Sequence, residues 1–453
     1  MKNILKFFLE VETLKQMPRT GWVLREVKNP ETIAEHTFRM TILSWLLAIK
    51  KNLNIKKTIQ TAFSHDLCEV YAGDVTPFFY YLKLPKDKIK RKKFLMKWIR
   101  LSKKEKEDLG KKKFGLEKES LLKLTRFLKS EIRKKIYSSW FNFERRTSKE
   151  GRFVRAVDKI ETMIQAIEYF GTKKDTPVIG WWEEVEELVD DPLLLDFLKI
   201  IQKKFYEKTI EKPKGNKDRA GLFYGRRNRQ QKEFEDILDF ILAIGKLKKI
   251  PRSIWVSMGV KNPETVAGHI FTTALMTWVF GAERKDIDLE RSLKMALCHE
   301  FPSVYTGDLI TPFILPKEEE ERRKVFEKWP RLKKIEKEKI FFEDHQKEKK
   351  AIEKLTQKLT PSLKKEIIGL WDEYKMNLTP EALFVNQVNV LAVLLQALLY
   401  QRKDKNLPIG WIWEWAFEKC ECPIILAFLE EMKGKFYKQS LIKKAFLKFF
   451  DIK

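Results

Sequence analysis

The chain has 453 residues, 43% of them hydrophobic and 12% aromatic, which excludes a disordered polypeptide and leaves room for two or three domains with cores of their own. Only 18 Gly and 17 Pro punctuate that length while Leu, Ile, Lys and Glu dominate, a balance that favours helices over strands. The net charge of +27 attracts anions in general, whether nucleotides, nucleic acid or acidic membrane surface. Much of it lies in Lys/Glu mixtures at 86–113 and 317–354, which read as solvated helix faces, so nucleic-acid binding through the basic surface is the less favoured reading.

In chain order, the opening MKNILKFFLEVE puts Lys6 and Glu10 where a signal peptide needs an apolar core. The apolar stretch near Leu43 to Ile49 is far short of the ~20 residues of a membrane span, so a soluble, cytoplasmic protein is expected. Asn29-Pro30-Glu31 offers an N-cap, a Pro at the first helical position and an early acid, predicting a helix with Ile33, Met40, Leu43 and Leu47 near helical spacing. A second helix is predicted from about Lys57 to Tyr71, closed by Gly73. A third, around Phe153 to Phe170, carries Val157, Ile160, Ile164 and Ile167 on one side. No stretch reads as a strand. Four cysteines make no disulfide framework, and the C-x-C of Cys420 and Cys422 lacks a second ligand pair.

Self-similarity organises the whole chain. MPRTGWVLREVKNPETIAEHTF from Met17 returns as IPRSIWVSMGVKNPETVAGHIF from Ile250, and ILKFFLEVETLK from Ile4 as ILDFILAIGKLK from Ile237. SHDLCEVYAGDVTPF from Ser64 matches CHEFPSVYTGDLITPF from Cys298, and FVRAVDKIETMIQAIEY from Phe153 matches FVNQVNVLAVLLQALLY from Phe384. The offset stays between 231 and 235 residues, a period that means two complete domains. A Lys/Gly/Arg-rich stretch between them has the composition of a linker. The expected division is 1–210, a linker at 211–231, and 232–453.

Of the five histidines, four form equivalent pairs, His36 with His65 and His269 with His299. His65 is followed by Asp66 inside the apolar run AFSHDLCEV, and Asp158 sits on the later apolar helix; a carboxylate so placed is costly unless paired or bound to a cation. Two imidazoles and two carboxylates suit a six-coordinate first-row metal such as Mn, Co, Fe or Ni, with Mg as a further option, better than a closed tetrahedral zinc site. Glu69, one turn beyond His65 and Asp66, is placed to exchange a proton with water or a leaving alkoxide. Asp74 follows Gly73, where an acid orients water or binds a sugar hydroxyl.

The series His36, His65-Asp66, Asp158 resembles the H…HD…D signature of HD-domain metal-dependent phosphohydrolases. The surrounding PRTGWVLREVKNPETIAEH, HDLCEVYAGDVTP and FVRAVDKIETMIQAIEY are similar to the 5′-deoxynucleotidase branch of that superfamily. The resemblance implies an all-α fold of two tandem HD-domain helical bundles packed as a pseudo-dimer. It implies one divalent metal on His36, His65, Asp66 and Asp158, with Glu69 serving the attacking water and Asp74 contacting substrate or leaving group. Trp22 would sit near the sugar, and Arg19 would clamp the phosphate, with Arg25 as the alternative. The activity implied is release of phosphate from nucleoside 5′-monophosphates, with 2′-deoxynucleotides favoured. A phosphohydrolase of a cyclic or polyphosphate nucleotide, or a non-catalytic nucleotide or nucleic-acid binding module, is the alternative.

The second copy reads as degenerate. Its positions are His269, His299, Glu300, Ser303, Asp308 and Asn389, so Asp66 has become Glu300, Glu69 Ser303 and Asp158 Asn389. Asn brings no negative charge and Ser no proton transfer at neutral pH. A structural role, as the retired half of a pseudo-dimer, is expected for it, with nucleotide binding for regulation as the alternative.

Overall fold

Helix-forming composition and two capped central segments dictate the architecture. The computed structural model describes residues 1–74, 85–95, 102–171, 178–206, 229–310, 321, 324–325 and 333–436. Among them there is no strand, only the isolated bridges Pro18↔Thr32 and Pro251↔Thr265, one in each repeat. The first repeat comprises α1 (Lys2–Val11), α2 (Ile33–Lys50), α3 (Ile55–Ser64), α4 (Lys103–Thr125), α5 (Ser130–Arg145), α6 (Lys149–Phe170), α7 (Val178–Leu188) and α8 (Pro192–Tyr206). The second comprises α9 (Arg229–Ile244), α10 (Val266–Gly281), α11 (Leu289–Cys298), α12 (Lys334–Thr356), α13 (Pro361–Met376), α14 (Pro380–Lys403), α15 (Gly410–Lys419) and α16 (Pro423–Phe436). Of the expected linker 211–231, residues 211–228 lie outside the described residues, as do parts of both Lys-rich runs.

Helix α2 is buried all round from Ile33 to Ala48, and α10 from Val266 to Gly281, the pattern of helices at the centre of a fold. They pack on each other, so the two repeats share one continuous apolar core. Phe63 meets Phe271 with ring centroids 5.9 Å apart, and Phe8 packs between Phe280 and Phe428 at 5.5 and 5.9 Å. The polar contacts across this seam come in pseudo-symmetric pairs. Lys15, in the 3-10 turn Glu12–Lys15, bonds Glu264 at 2.7 Å and Gln396 at 2.6 Å. Lys248, in the 3-10 turn Gly245–Lys248, bonds Glu31 and Gln165, the corresponding residues of the first repeat. Such reciprocity is the mark of an isologous interface, here formed within one chain. The two repeats of the duplication thus meet through paired, equivalent contacts.

Three expectations change. The first predicted helix starts at Ile33, not near Pro30: Thr32 is its N-cap, in a capping box with Glu35, while Asn29 has a left-handed φ of 51° in the turn before it. The second ends at Ser64, and a separate helical turn follows at Glu69–Ala72. The reason is local. In a continuing helix the carbonyl of Ala62 would accept the amide of Asp66, but the His65 Nδ1 takes it at 2.6 Å. The chain therefore turns at the His-Asp pair. Finally, α14 is longer and more apolar than the stretch near Leu43 and passes the length and composition test for a membrane span, yet it is mostly buried as the second repeat's counterpart of α6.

The shared core makes the repeats energetically interdependent. Phe271→Ala should cost about 3–5 kcal/mol in chemical denaturation, the usual price of truncating a buried aromatic. Unfolding of both repeats should shift together, followed by tryptophan fluorescence.

Candidate metal centre

His36 projects from the first turn of α2, His65 and Asp66 from the end of α3, and Asp158 from the middle of α6. Helices α2, α3 and α6 pack mutually, so residues over a hundred positions apart meet. His36 Nε2 is 3.1 Å from Asp158 Oδ1, and His65 Nε2 is 2.9 Å from Asp66 Oδ2. Ligand atoms of His36, His65 and Asp66 all lie within 4.8 Å of one another, a spacing that could hold a metal ion. Each imidazole is oriented through its other nitrogen, His36 Nδ1 to Glu161 Oε2 at 2.5 Å and His65 Nδ1 to the Ala62 carbonyl. That leaves both Nε2 atoms facing the cluster, the arrangement by which outer hydrogen bonds orient metal-ligating histidines. Apart from that contact with Asp66, His65 Nε2 is buried without a hydrogen-bond partner among the described residues. Two imidazole nitrogens and two carboxylates fit one divalent cation.

The electrostatics point the same way. Against burial and the charge of Arg19, Glu161 and Asp158 raise the His36 pKa to about 9. Against burial, Lys159 and His36 hold the Asp158 carboxyl well below its ordinary range. The site favours positive charge. Glu69 is buried beside it, its Oε2 without a partner among the described residues. Burial, Asp66 and Asp74 push its carboxyl well above the usual range.

The remaining sequence candidates fall into two groups. Arg19 approaches the cluster, with Nη1 3.5 Å from Asp66 Oδ2, and Asp74 is fixed beside it by accepting the Thr20 amide at 2.6 Å. Trp22 and Arg25 stand apart. Trp22 is 1% exposed, packs on Tyr169 and Trp181, and donates its indole N–H to Glu31 at 2.9 Å. A buried ring with its donor committed to Glu31 holds the turn. Arg25 stacks on Trp181 at 4.2 Å and bonds the carbonyls of Gly21 and Leu95, with burial pushing its pKa down to about 10. Of the two arginines, Arg19 is the one that approaches the cluster.

Sequence reasoning missed several charged groups. Lys159 lies 3.4 Å from Asp158 and from Glu184, and Arg155 is 3.0 Å from Glu144. Lys113 of α4, paired with Glu117 at 3.1 Å, is close enough to act on Glu69. Arg155 and Lys159 flank Asp158 on α6 and could have been read from that spacing. Lys113 carried no signal within a Lys-rich helix. Also missed was Glu161, three residues after Asp158 and so on the same helix face.

The second cluster keeps the scaffold with altered residues: ligand atoms of His269, His299 and Glu300 also lie within 4.8 Å of one another, a spacing that could hold a metal ion. His269 and His299 approach through their Nε2 atoms at 3.3 Å, and His299 Nδ1 is held by Ala296 as His65 is by Ala62. Glu300, one methylene longer than Asp66, reaches away to Arg252 at 2.7 Å and stands 4.0 Å from His299. Arg252 also holds Asp308 at 3.0 Å. Asn389 is bound between His269 and Tyr374. Burial pushes the His299 pKa down to about 4 and so favours its neutral ring. Arg155 and Lys159 correspond to Asn386 and Val390, while Lys375 is the cation close enough to act on Glu300. Cys420 and Cys422 join no metal-binding group among the described residues; Cys422 accepts from Arg284 at 3.2 Å.

Known proteins match both repeats. The HD domain family matches residues 11–183 and again 244–409. The chain is 33% identical over 170 residues to the 5′-deoxynucleotidase HDDC2 of Danio rerio, covering 37% of this chain and 70% of that protein. It is 31% identical over 172 residues to the Xenopus laevis protein of the same name, covering 38% and 73%. Among solved structures, a conserved hypothetical protein from Pyrococcus furiosus is 29% identical, with 45% of this chain and 99% of that one covered and a TM-score of 0.32. With the match repeated across most of its length, this chain belongs to the HD domain family and carries the domain twice.

Proposed function

We propose that the first repeat, at 1–210, hydrolyses the 5′-phosphate of nucleoside monophosphates, 2′-deoxynucleotides in preference, at a single divalent metal. His36, His65, Asp66 and Asp158 would hold the ion, with Mn, Co, Fe or Ni suited to the mixed nitrogen and oxygen set. The 5′-deoxynucleotidase names of the relatives support the substrate class. The second repeat, at 232–453 beyond a linker at 211–231, is a non-catalytic partner.

One observation carries the reading. In the first repeat alone, two oriented imidazoles and two carboxylates converge beside a buried, unpartnered carboxyl oxygen on Glu69. When bound, a divalent metal supplies Lewis-acid stabilisation of phosphoryl charge and a nucleophile competent at neutral pH. Arg19, fully ionised between Asp66 and Asp74, offers a two-pronged donor to phosphate oxygens. Lys113, Arg155 and Lys159 add positive charge at the rim, where the dianionic group must enter. Glu69 Oε2 exchanges a proton with the attacking water or the leaving 5′-oxygen. Asp74, fixed by Thr20, meets the sugar side of the substrate.

Chelation should abolish phosphate release from a panel of ribo- and deoxynucleotides, and Mn or Co should restore it, read by a colorimetric phosphate assay. Asp66→Ala should lose activity altogether. Glu69→Gln should lower kcat by about 10²–10⁴-fold, the range for removing a general acid or base, with KM little changed. Glu300→Ala should leave turnover intact. If the whole panel is left untouched by wild-type protein that retards DNA or RNA at moderate salt, the binding-module alternative replaces this proposal.

A further inference from the structure

The 3-10 turn Gly245–Lys248 belongs to the second repeat, yet its lysine ends inside the first. Lys248 is 4% exposed, and its Nζ donates to Glu161 Oε1 at 2.8 Å, to Gln165 Oε1 at 2.9 Å, and to Glu31. Ligand atoms of Glu31, His36 and Glu161 lie within 4.8 Å of one another, a spacing that by itself suits a cation, and the ammonium group supplies it. Arg39 Nε donates to the same Glu161 Oε1 at 2.7 Å. With Oε1 clamped by two cations, Oε2 is directed at His36 Nδ1, 2.5 Å away, and the ring is held with Nε2 toward Asp158.

We infer that Lys248 is a positioning residue of the first repeat's metal centre, acting through Glu161 on His36, so that the second repeat completes the site it no longer duplicates. The inference rests on the metal-centre reading above and extends it across the seam.

The pseudo-symmetry isolates this role from interface packing. Lys15 occupies the equivalent place, equally buried at 5% exposure, and bonds Glu264 and Gln396. But Ala392 stands where the first repeat has Glu161, so no carboxylate links Lys15 to His269. Two lysines close the seam; one of them is joined to a histidine. The second repeat also makes room for the arrangement. A Cβ at Gly245 would lie 2.6 Å from Arg39 Nη1, and the first repeat has Glu12 at the corresponding position. Two copies of the first repeat paired in this way would crowd Arg39, the other clamp on Glu161.

The test compares Lys248→Met with Lys15→Met in the full chain. Mn²⁺ affinity of metal-stripped protein is measured by calorimetry, and the Co²⁺ visible spectrum reports ligand geometry. Both substitutions should lower the thermal midpoint, since each breaks the seam. Only Lys248→Met should weaken Mn²⁺ binding, by about 10–100-fold as for loss of other outer partners of metal ligands, and alter the Co²⁺ spectrum. Glu161→Gln should do the same, and the double variant should be no worse than the worse single one, because both cut one path. Should Lys248→Met fail to fold, Lys248→Gln, which keeps donors but shortens the reach, should show a smaller loss in the same direction. Equal Mn²⁺ affinities in the two lysine variants, or additive losses, would overturn the inference. Wild-type protein that binds Mn²⁺ and shows the lysine difference but releases no phosphate would count against the proposed substrate alone. Wild-type protein that binds no Mn²⁺ would overturn both.

Discussion

A carboxylate as deeply buried as Glu161 is tolerable only if positive charge is buried with it, and the way this molecule meets that demand shapes much of the rest. Arg39 comes from the central helix of the first repeat, Lys248 from a turn of the second, and His36 from the metal cluster. None of the three can move far without leaving charge unpaired in a water-excluded core. The seam between repeats and the orientation of a metal-binding histidine are thus parts of one hydrogen-bonded system. The second repeat thereby supplies a fixed partner surface for the first.

The two copies show how few changes alter the charge balance of such a site. Replacing Asp66 by the longer Glu300 lets the carboxylate reach Arg252 at 2.7 Å, where Arg19 stands 3.5 Å from Asp66. Replacing Asp158 by Asn389 and Glu161 by Ala392 removes the negative charge that favoured cations around His36. With no carboxylate at 389 or 392, burial dominates and the second pair of imidazoles is held neutral, one nitrogen facing the other. The backbone device that turns the chain at the histidine, its ring taking the carbonyl three residues back, survives in both copies. Scaffold and chemistry have therefore diverged separately.

Helical content, duplication and the pairing of His36, His65, Asp66 and Asp158 were legible in the sequence, because scarce residue types recur in register and because period and capping act locally. The sequence misled where a side chain competes with the backbone. Thr32 rather than Asn29 caps α2 since its hydroxyl and Glu35 satisfy each other's amides, and α3 stops early because of an imidazole. Trp22 looked like a substrate contact from its place after the PR motif, but only the packed structure shows its indole N–H committed to Glu31 beneath the surface.

The sequence by itself determined that the fold is helical and doubled, that His36, His65, Asp66 and Asp158 recur in a patterned series, and that the second copy has Ser303 and Asn389 in place of two of the acids. Tertiary structure alone decided that Arg19 rather than Arg25 approaches the cluster, that Glu161 turns His36, and that a lysine over two hundred positions away holds Glu161 in place. The physical reason is that helix caps and periodicity depend on neighbours a few positions apart. Compensation of buried charge depends on whichever cation the packing of distant helices brings within hydrogen-bond reach.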